Sequence, residues 1–386
     1  MRGDDNTGGT GVWLQTHHRA TIHCRCAPAF PGAVVQSHVV DRLRTRTGSQ
    51  ELIGRHSRLA FTHIFAGDPL DRADVERRDD QWVADSLAKP ESKILPFWRL
   101  NPLATTGDQA RLAWQDNSIM EHAAENAVAV LLGISDGIAH FAVDVTNGTK
   151  VAADVDGAGE ENPAELLGLP DGTSFQDARG VASEIPGEES GTLAHARAVI
   201  GWHQRHGFCP NCGQSTYATK GGKERICNAC GAHHFPRTDP VAIMAVTDGE
   251  RCLLGQTRAR SSSRFYSALA GFIDQGESIE AAVRREVWEE GGIRVGDVRY
   301  HSSQPWPFPS SLMIGCIAQA TTTDIHIDPG EMADVRWVGR DEVLEALELA
   351  SAPGYSLSAD PGGDGVRVPG PIAIAHHIIK AWANGE

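Results

Sequence analysis

The chain lacks any apolar run approaching the roughly 20 residues that a membrane-spanning helix needs. Its first residues, MRGDDNTGG, lack the basic and apolar regions of a secretory signal. A membrane protein and an exported one are therefore not expected, and a cytoplasmic one is. Positive charge is also short: 35 Lys and Arg stand against 50 Asp and Glu, a formal net charge of -15 over 386 residues. Nucleic-acid backbones are bound through Lys and Arg, so a long polyphosphate-tracking surface is excluded and any such contact has to be local to an end. There is no internal repeat, and the first fifty or so residues show little periodicity. What remains is ordinary for a globular protein, with 41% hydrophobic residues and room for two domains plus extensions.

Between Gly271 and Ile293 the sequence reads GFIDQGESIEAAVRREVWEEGGI. Ser278 is an N-cap with Glu280 in the first turn, Ile279, Ala282, Val283 and Val287 form an apolar stripe, and Gly291-Gly292 stops the helix. Helical spacing puts Glu286, Glu289 and Glu290 three and four residues apart on one face, with Glu277 ahead of the helix and Arg285 just off that face. Carboxylates crowded in this way repel one another, so an oxygen-seeking cation, Mg2+ or Mn2+, is the natural counter-charge. Such ions neutralise charge developing on a phosphoryl group and activate water, which points to cleavage of a diphosphate. A solvated acidic helix face is the plain alternative, but it does not require Gly271, Gly276, Glu277 and Arg285 at fixed offsets.

The pattern resembles the Nudix box, matched at Gly271, Glu277, Arg285, Glu286, Val287, Glu289, Glu290, Gly292 and Ile293. The resemblance implies hydrolysis of a nucleoside diphosphate linked to another moiety. A second motif bears on that moiety: Ser303-Gln304-Pro305-Trp306-Pro307-Phe308-Pro309-Ser310-Ser311, in which prolines alternate with aromatics. Such a stretch is a stiff, non-helical, extended loop. It either holds a flat ring against a flat ligand or serves as a rigid connector with Trp306 and Phe308 buried. It is similar to the array that marks the NADH pyrophosphatase branch of the Nudix hydrolases.

Cys209-x2-Cys212, fourteen residues, then Cys227-x2-Cys230 reads as a four-cysteine zinc ribbon, with Gly213 and Gly231 in the knuckles. A disulfide framework is the alternative, and nothing marks export. Four thiolates close the coordination sphere, so this zinc is expected to be structural. His233 and His234 are read as surface or loop residues. Cys252 and Cys316 sit in apolar strands as small core residues. Cys24 and Cys26 lie near His17, His18 and His23 without a recognisable second ligand pair.

The remaining pattern gives the domain plan. Residues 1–57 are expected to be a variable extension, with disorder as one reading of their weak periodicity. Residues 58–191 hold a strand-rich amino-terminal domain, with SKILPFWRL and a hairpin turning at Asp136-Gly137, and an acidic connector from Asp154 to Gly191 in which AELLGLP and QDARG are candidate short helical pieces. Thr192 caps a helix that leads into the ribbon, together spanning 192–236. Residues 237–386 alternate strands with helices at Asp341 to Glu348 and Ile372 to Trp382. The expected fold is α/β: a Nudix α/β/α sandwich with a mixed sheet, preceded by a four-cysteine zinc ribbon and a degenerate Nudix-like amino-terminal domain.

Site residues follow from the resemblance position by position. Glu286 and Glu290 are metal ligands, and Glu289 is a third ligand or the group that deprotonates the attacking water. Glu331 matches the remote acidic ligand, with Asp334 as its competitor in sequence. Arg285 orients the box carboxylates, since a guanidinium fork suits carboxylate geometry. Phe272 and Trp306 are the aromatic pair expected to stack a base or nicotinamide ring, and the run from Gln304 to Ser311 (Pro305, Pro307, Phe308, Pro309, Ser310) lines the pocket. Phe235 stands where relatives often carry tyrosine, and Ala375 matches a small residue near substrate. Arg258, Arg260 and Arg264 form a basic loop ahead of the box.

The resulting expectation is a Mg2+- or Mn2+-dependent hydrolase of NADH or NAD+, giving reduced or oxidised nicotinamide mononucleotide plus AMP. The resemblance adds removal of NAD caps from RNA 5′ ends, and a homodimer. The alternatives are another Nudix specificity, such as ADP-ribose, nucleoside triphosphates or coenzyme A, or a non-catalytic nucleotide-sensing or nucleic-acid-binding protein.

Overall fold

In the computed structural model the described residues are 63–107, 109–148, 163–260, 264–355 and 365–386, and the readings at Cys24, Cys26 and the neighbouring histidines lie outside them. The first layer grows from SKILPFWRL. Its strand β1 (Lys93–Trp98) turns into β2 (Asn101–Thr105), and the Asp136-Gly137 turn joins β3 (Val130–Ser135) to β4 (Ile138–Asp144). With β5 (Thr173–Phe175) they form a sheet of order β3-β4-β1-β2-β5, in which only the β1–β4 pairing is parallel. A helix α1 (Asp80–Leu87), capped by the Asp79 carboxylate, precedes this sheet.

Two expectations are corrected here. Residues 163–185 are not a connector: they supply β5, the short helix α2 (Ala178–Ala182), and buried Ala164, Leu167, Phe175, Val181 and Ile185. The candidate helical piece QDARG overlaps α2, whereas AELLGLP forms turns, and the Gly and Pro between the sparse apolar residues hide their place in the core. The next helix, α3 (Gly187–Arg205), begins five residues before Thr192. Pro186 presets the first turn and Glu188 and Glu189 favour the positive end of the helix dipole, while Thr192 is buried inside and its hydroxyl bonds Asp68. Leu193, Ala196, Val199 and Ile200 do form the expected stripe, packed on Leu95, Phe97, Val130 and Leu132.

The ribbon is a three-stranded sheet of β6 (Thr216–Thr219), β7 (Glu224–Cys227) and β8 (His233–His234). Beyond it, β9 (Asp239–Thr247) is the spine of the carboxy-terminal domain. It is joined to β10 (Arg251–Thr257) through Asp248, whose carboxylate accepts from the Glu250 and Arg251 amides. The first half of β9 pairs with β11 (Leu269–Phe272), its end pairs with β10, and its other edge runs parallel to β13 (Ser311–Ala320). β12 (Val295–Trp306) and β14 (Met332–Gly339) complete the order β12-β13-β9-β10-β14.

Strand alternation then sets the layers. Ala242, Met244 and Val246 face Ala282, Val283 and Val287 of helix α4 (Ile279–Gly291). Ile243 and Ala245 face α5 (Arg340–Ala350) and α6 (Ile374–Asn384). This is the expected α/β/α sandwich with a mixed sheet. Cys252 and Cys316 are core residues. The proline-aromatic stretch departs from the expected loop: Ser303 to Trp306 belong to β12, in register with Ser311 to Ile314, and only residues 307–310 turn. β12 is an edge strand, where a missing N–H is tolerated.

Candidate active site

Helix α4 presents its carboxylates along a row that begins as core. Ala282, Glu286 and Glu290 are each four residues apart and all buried, so the apolar stripe runs into two carboxylates. Ser278 Oγ accepts from the Ala281 amide, and Gly292 closes the helix in the left-handed conformation. Gly271 of β11 lies directly over Glu286: a Cβ there would come within 1.9–2.1 Å of the Glu286 carboxyl atoms. The first glycine of the box is therefore a space requirement. Gly271→Ala is expected to displace Glu286 and lower kcat by at least about a hundredfold, with Mn2+ titration weakened in parallel. Wild-type Mn2+ affinity in that variant would refute the contact.

Arg285 is the hub that the sequence suggested. Nε and Nη2 donate to the two oxygens of Glu277, at 2.8 Å each, Nη1 donates to Glu286 (2.7 Å) and Glu289 (2.9 Å), and Nη2 also donates to the Phe272 carbonyl (2.8 Å). Five N–H groups thus meet five acceptors, a match that lysine cannot reproduce. Hydrogen bonds from Arg285 and from the Asp274 amide hold Glu277 down at about 2. Glu286 is shifted upward, by burial first, against the pull of Arg285. Glu290 is pushed up to about 8, by burial and then by the neighbouring Glu286 and Glu331, while the Ala270 amide opposes the shift.

Glu331 stands just ahead of β14, and its carbonyl accepts from the Arg258 amide. Its charge acts on both Glu286 and Glu290. Its competitor Asp334 is engaged elsewhere, accepting from the Tyr266 hydroxyl at 2.6 Å and from Arg336 at 2.6 and 2.8 Å. Glu289 and Glu331 are exposed, whereas Glu286 and Glu290 are buried.

A divalent cation fits this donor set. Glu290 Oε2 is buried with no hydrogen-bond partner, an arrangement that costs energy unless a cation or proton satisfies it. The remaining donors are carboxylate oxygens, the ligands that hard cations prefer. Glu286, Glu289, Glu290 and Glu331 are the residues that would hold it.

The four cysteines are the one group of candidate metal ligands among the described residues whose ligand atoms all lie within 4.8 Å of one another. Sγ separations are 3.4 Å for Cys212 to Cys227, 3.6 Å for Cys212 to Cys230 and 3.7 Å for Cys209 to Cys230. A tetrahedron with metal–sulfur bonds of about 2.3 Å has edges of about 3.8 Å, so the cluster fits a structural zinc site. Gly213 and Gly231 take positive φ angles at the knuckles, 73° and 69°. His233 pairs with Glu224 and does not join the cluster. The ribbon is tied to α3 through buried Arg225, which donates to His203 Nδ1 at 2.9 Å, while His203 Nε2 bonds the Gly222 carbonyl.

The proline-aromatic hairpin borders two cavities. The first, of about 510 Å3, is bounded by Phe65, His195, Phe235, Pro305, Trp306 and Pro307 among others, and Ser310 and Ser311 also line it. The second, of about 500 Å3, brings together Arg179, Thr257, Gln304, Trp306 and Ala375. Trp306 is common to both. Gln304 is fully buried, and its amide is committed: Nε2 donates to the Ile64 and Ile372 carbonyls, and Oε1 accepts from the Ile374 amide. Phe308 lies against Phe65 and Trp306, Pro309 lines a small neighbouring cleft, and Ser310 Oγ bonds Asp239.

The expected pairing of Phe272 with Trp306 is not formed within one chain. Phe272 is 60% exposed on the Arg285 side and lines neither cavity. β9 lies between the strand that carries Phe272 and the hairpin, because β11 and β13 flank it on opposite edges. Of the basic loop, Arg258 bonds the Pro329 carbonyl and Arg260 stacks on Phe265 beside the second cavity. Phe65, Arg179 and Arg197 reach the hairpin from the amino-terminal domain and are not among the expected site residues. No motif spans the more than one hundred residues that separate them from it. Among the described residues no helix is long and apolar enough to cross a membrane.

Comparison with known proteins places two matches on these layers. Residues 236–358 match the NUDIX domain model, and residues 91–202 match the NADH pyrophosphatase-like rudimentary NUDIX domain. The human NAD-capped RNA hydrolase NUDT12 is 35% identical over 352 residues, covering 83% of this chain and 73% of its own. The NAD-capped RNA hydrolase of Schizosaccharomyces pombe is 30% identical over 371 residues, covering 86% and 96%. The human mitochondrial NAD(P)H pyrophosphatase NUDT13 is 37% identical over 265 residues, covering 67% and 72%.

Proposed function

Because the chain belongs to the NADH pyrophosphatase and NAD-capped RNA hydrolase family of Nudix hydrolases, we propose that it hydrolyses the diphosphate of NADH and NAD+, and removes NAD caps from RNA. Water adds to one phosphorus and the bridging P–O bond breaks, giving reduced or oxidised nicotinamide mononucleotide plus AMP from the free dinucleotide, or plus an RNA with a 5′-monophosphate from a capped one. The observation that carries this reading is the unpartnered, buried oxygen of Glu290 beside Glu286, in a domain whose hairpin borders two cavities of about 510 and 500 Å3 that the carboxylates themselves do not line.

A bound Mg2+ or Mn2+ supplies charge neutralisation at the phosphoryl oxygens and a more acidic water. The chain's own residues do the rest. Glu286, Glu290 and Glu331 bind the cation, with Glu289 as a further ligand or as the acceptor of the water proton, a role that its exposure suits. Arg285 fixes the carboxylate orientation. Trp306 and Phe235 offer flat apolar faces for the rings of the dinucleotide, and Phe272 does so on the carboxylate side. Ala375 leaves room beside Gln304, and Gln304 holds β12 to α6 through its amide. The proposal includes zinc in the ribbon, a homodimer and a cytoplasmic location. It also moves the expected boundary at 191/192, which would cut helix α3, to the end of that helix at Arg205, so that α3 counts with the amino-terminal domain. Light scattering tests the dimer, and cell fractionation the location.

Product analysis with NADH, ADP-ribose and NAD-capped RNA in Mg2+ and Mn2+ tests the specificity. NADH and the capped RNA are expected to be cut between the two phosphates. Cleavage of ADP-ribose with NADH left intact would overturn the nicotinamide assignment. Trp306→Ala is expected to raise KM for NADH about tenfold, since a stacked ring contributes roughly 1–3 kcal/mol.

A further inference from the structure

The hairpin that borders both cavities is gripped from outside its own domain. Arg197, on α3, donates from Nη1 to the Pro307 carbonyl and lies 4.3 Å from the Phe308 ring centroid. Arg179, on α2, lies 4.2 Å from the same centroid. Phe308 meets Trp306 edge to face at 5.3 Å, and Phe65 meets Trp306 at 5.8 Å and Phe308 at 5.6 Å. Two residues before Trp306, Gln304 is bonded to the Ile64 carbonyl.

These contacts differ in what they fix. Edge-to-face ring pairs set how the rings tilt against one another, whereas the charge-assisted bond to the Pro307 carbonyl is directional and holds the peptide that joins Pro307 to Phe308. With that peptide held and Phe308 placed between the two guanidinium groups, the Trp306 indole packs against Phe308 and Phe65 as the shared wall of the two cavities. Burial lowers the Arg197 pKa to about 10, which leaves it a cation at neutral pH.

We propose that Arg197 is a positioning residue for dinucleotide hydrolysis: from the amino-terminal domain it sets the Pro307–Phe308 peptide and, through it, the Trp306 wall of the substrate cavity. The inference rests on the functional reading above. It gives the rudimentary domain a part in substrate specificity although it supplies none of the box carboxylates.

Steady-state kinetics with NADH, Mn2+ titration and thermal melting of Arg197→Met and Arg197→Lys test it. Methionine keeps an apolar stem and loses both the donor and the cation, so KM should rise about tenfold while kcat stays within about twofold and Mn2+ affinity is unchanged. Lysine keeps a cation and a donor and should bring KM back to within about threefold of wild type. An unchanged KM in Arg197→Met overturns the proposal. So does a parallel fall of kcat and melting temperature without rescue by lysine, which marks a merely structural role. Should the Met variant fail to fold, Phe308→Leu removes the stacked ring and reads out the same KM. Trp306→Ala separates the two layers of inference. Unaltered NADH kinetics there overturn the reading of the hairpin as substrate wall, and an impaired Trp306→Ala with a normal Arg197→Met overturns the positioning role alone.

Discussion

Glu290→Gln is expected to lower kcat for NADH by about a thousandfold or more, in line with the loss of a group that stabilises transition-state charge. Glutamine keeps the shape of the side chain and removes the anion, so the effect reads charge and not packing. Stability should move the other way. The Glu290 carboxyl is raised from an ordinary 4.5 to about 8, so between those values the native state binds more protons than the unfolded chain. Stability contributed by that proton is present in full below about pH 4.5 and is lost as pH rises through about 8. Without added Mg2+ or Mn2+, the variant should therefore melt above wild type at pH 8, with the gap narrowing toward pH 4.5. Saturating Mn2+ should reverse the order, because it binds the native wild-type site and stabilises it by mass action. Melting curves at several pH values, with and without Mn2+, check both signs. Full activity in Glu290→Gln would sink the site assignment.

Cys227→Ala should have the largest effect on stability. Its Sγ accepts from the Ala229 and Cys230 amides, hydrogen bonds that favour the thiolate a metal requires. Zinc bound by four thiolates contributes about 10–16 kcal/mol in isolated zinc fingers. That is comparable with the roughly 5–15 kcal/mol that stabilises a whole domain. With three thiolates the strands β6 to β8 should open, releasing Arg225 from His203 and removing Phe235 from the first cavity. Zinc released by a thiol-reactive mercurial, counted per chain, should fall from about one to near zero. Limited proteolysis should then cut within 209–235. A variant that carries no zinc yet resists protease like wild type would show that the ribbon stands without metal.

Much of this was legible because the relevant residues are close in sequence. Ser278, the Ala282-Val283-Val287 stripe and Gly292 fix one helix by local rules, and the Arg285 hub joins groups within 13 residues of it. The cysteine pairs likewise announce their own cluster. The sequence was less informative where a residue's role depends on distant partners. Thr192 has the side chain of a cap, but Pro186 starts the helix and Asp68 takes its hydroxyl. Residues 163–185 have connector composition, yet pairing of β5 with β2 draws Phe175 into the core. Phe272 and Trp306 both belong to family motifs, but only the strand order reveals that β9 lies between their strands. Arg197 carries no motif and depends wholly on how the amino-terminal domain meets the hairpin.

The hairpin's edge position bears on how two copies could meet. Pro305 brings no N–H group near the end of β12, the outermost strand of the six-stranded sheet, and Pro307 and Pro309 bring none in the turn that follows it. A strand from a second molecule would find the row of donors interrupted there, so the sheet cannot be continued from one molecule into another across this tip. A dimer formed at that edge has to be built from side chains, and its strength would answer to substitutions of rings and charges, with little response to changes in strand propensity.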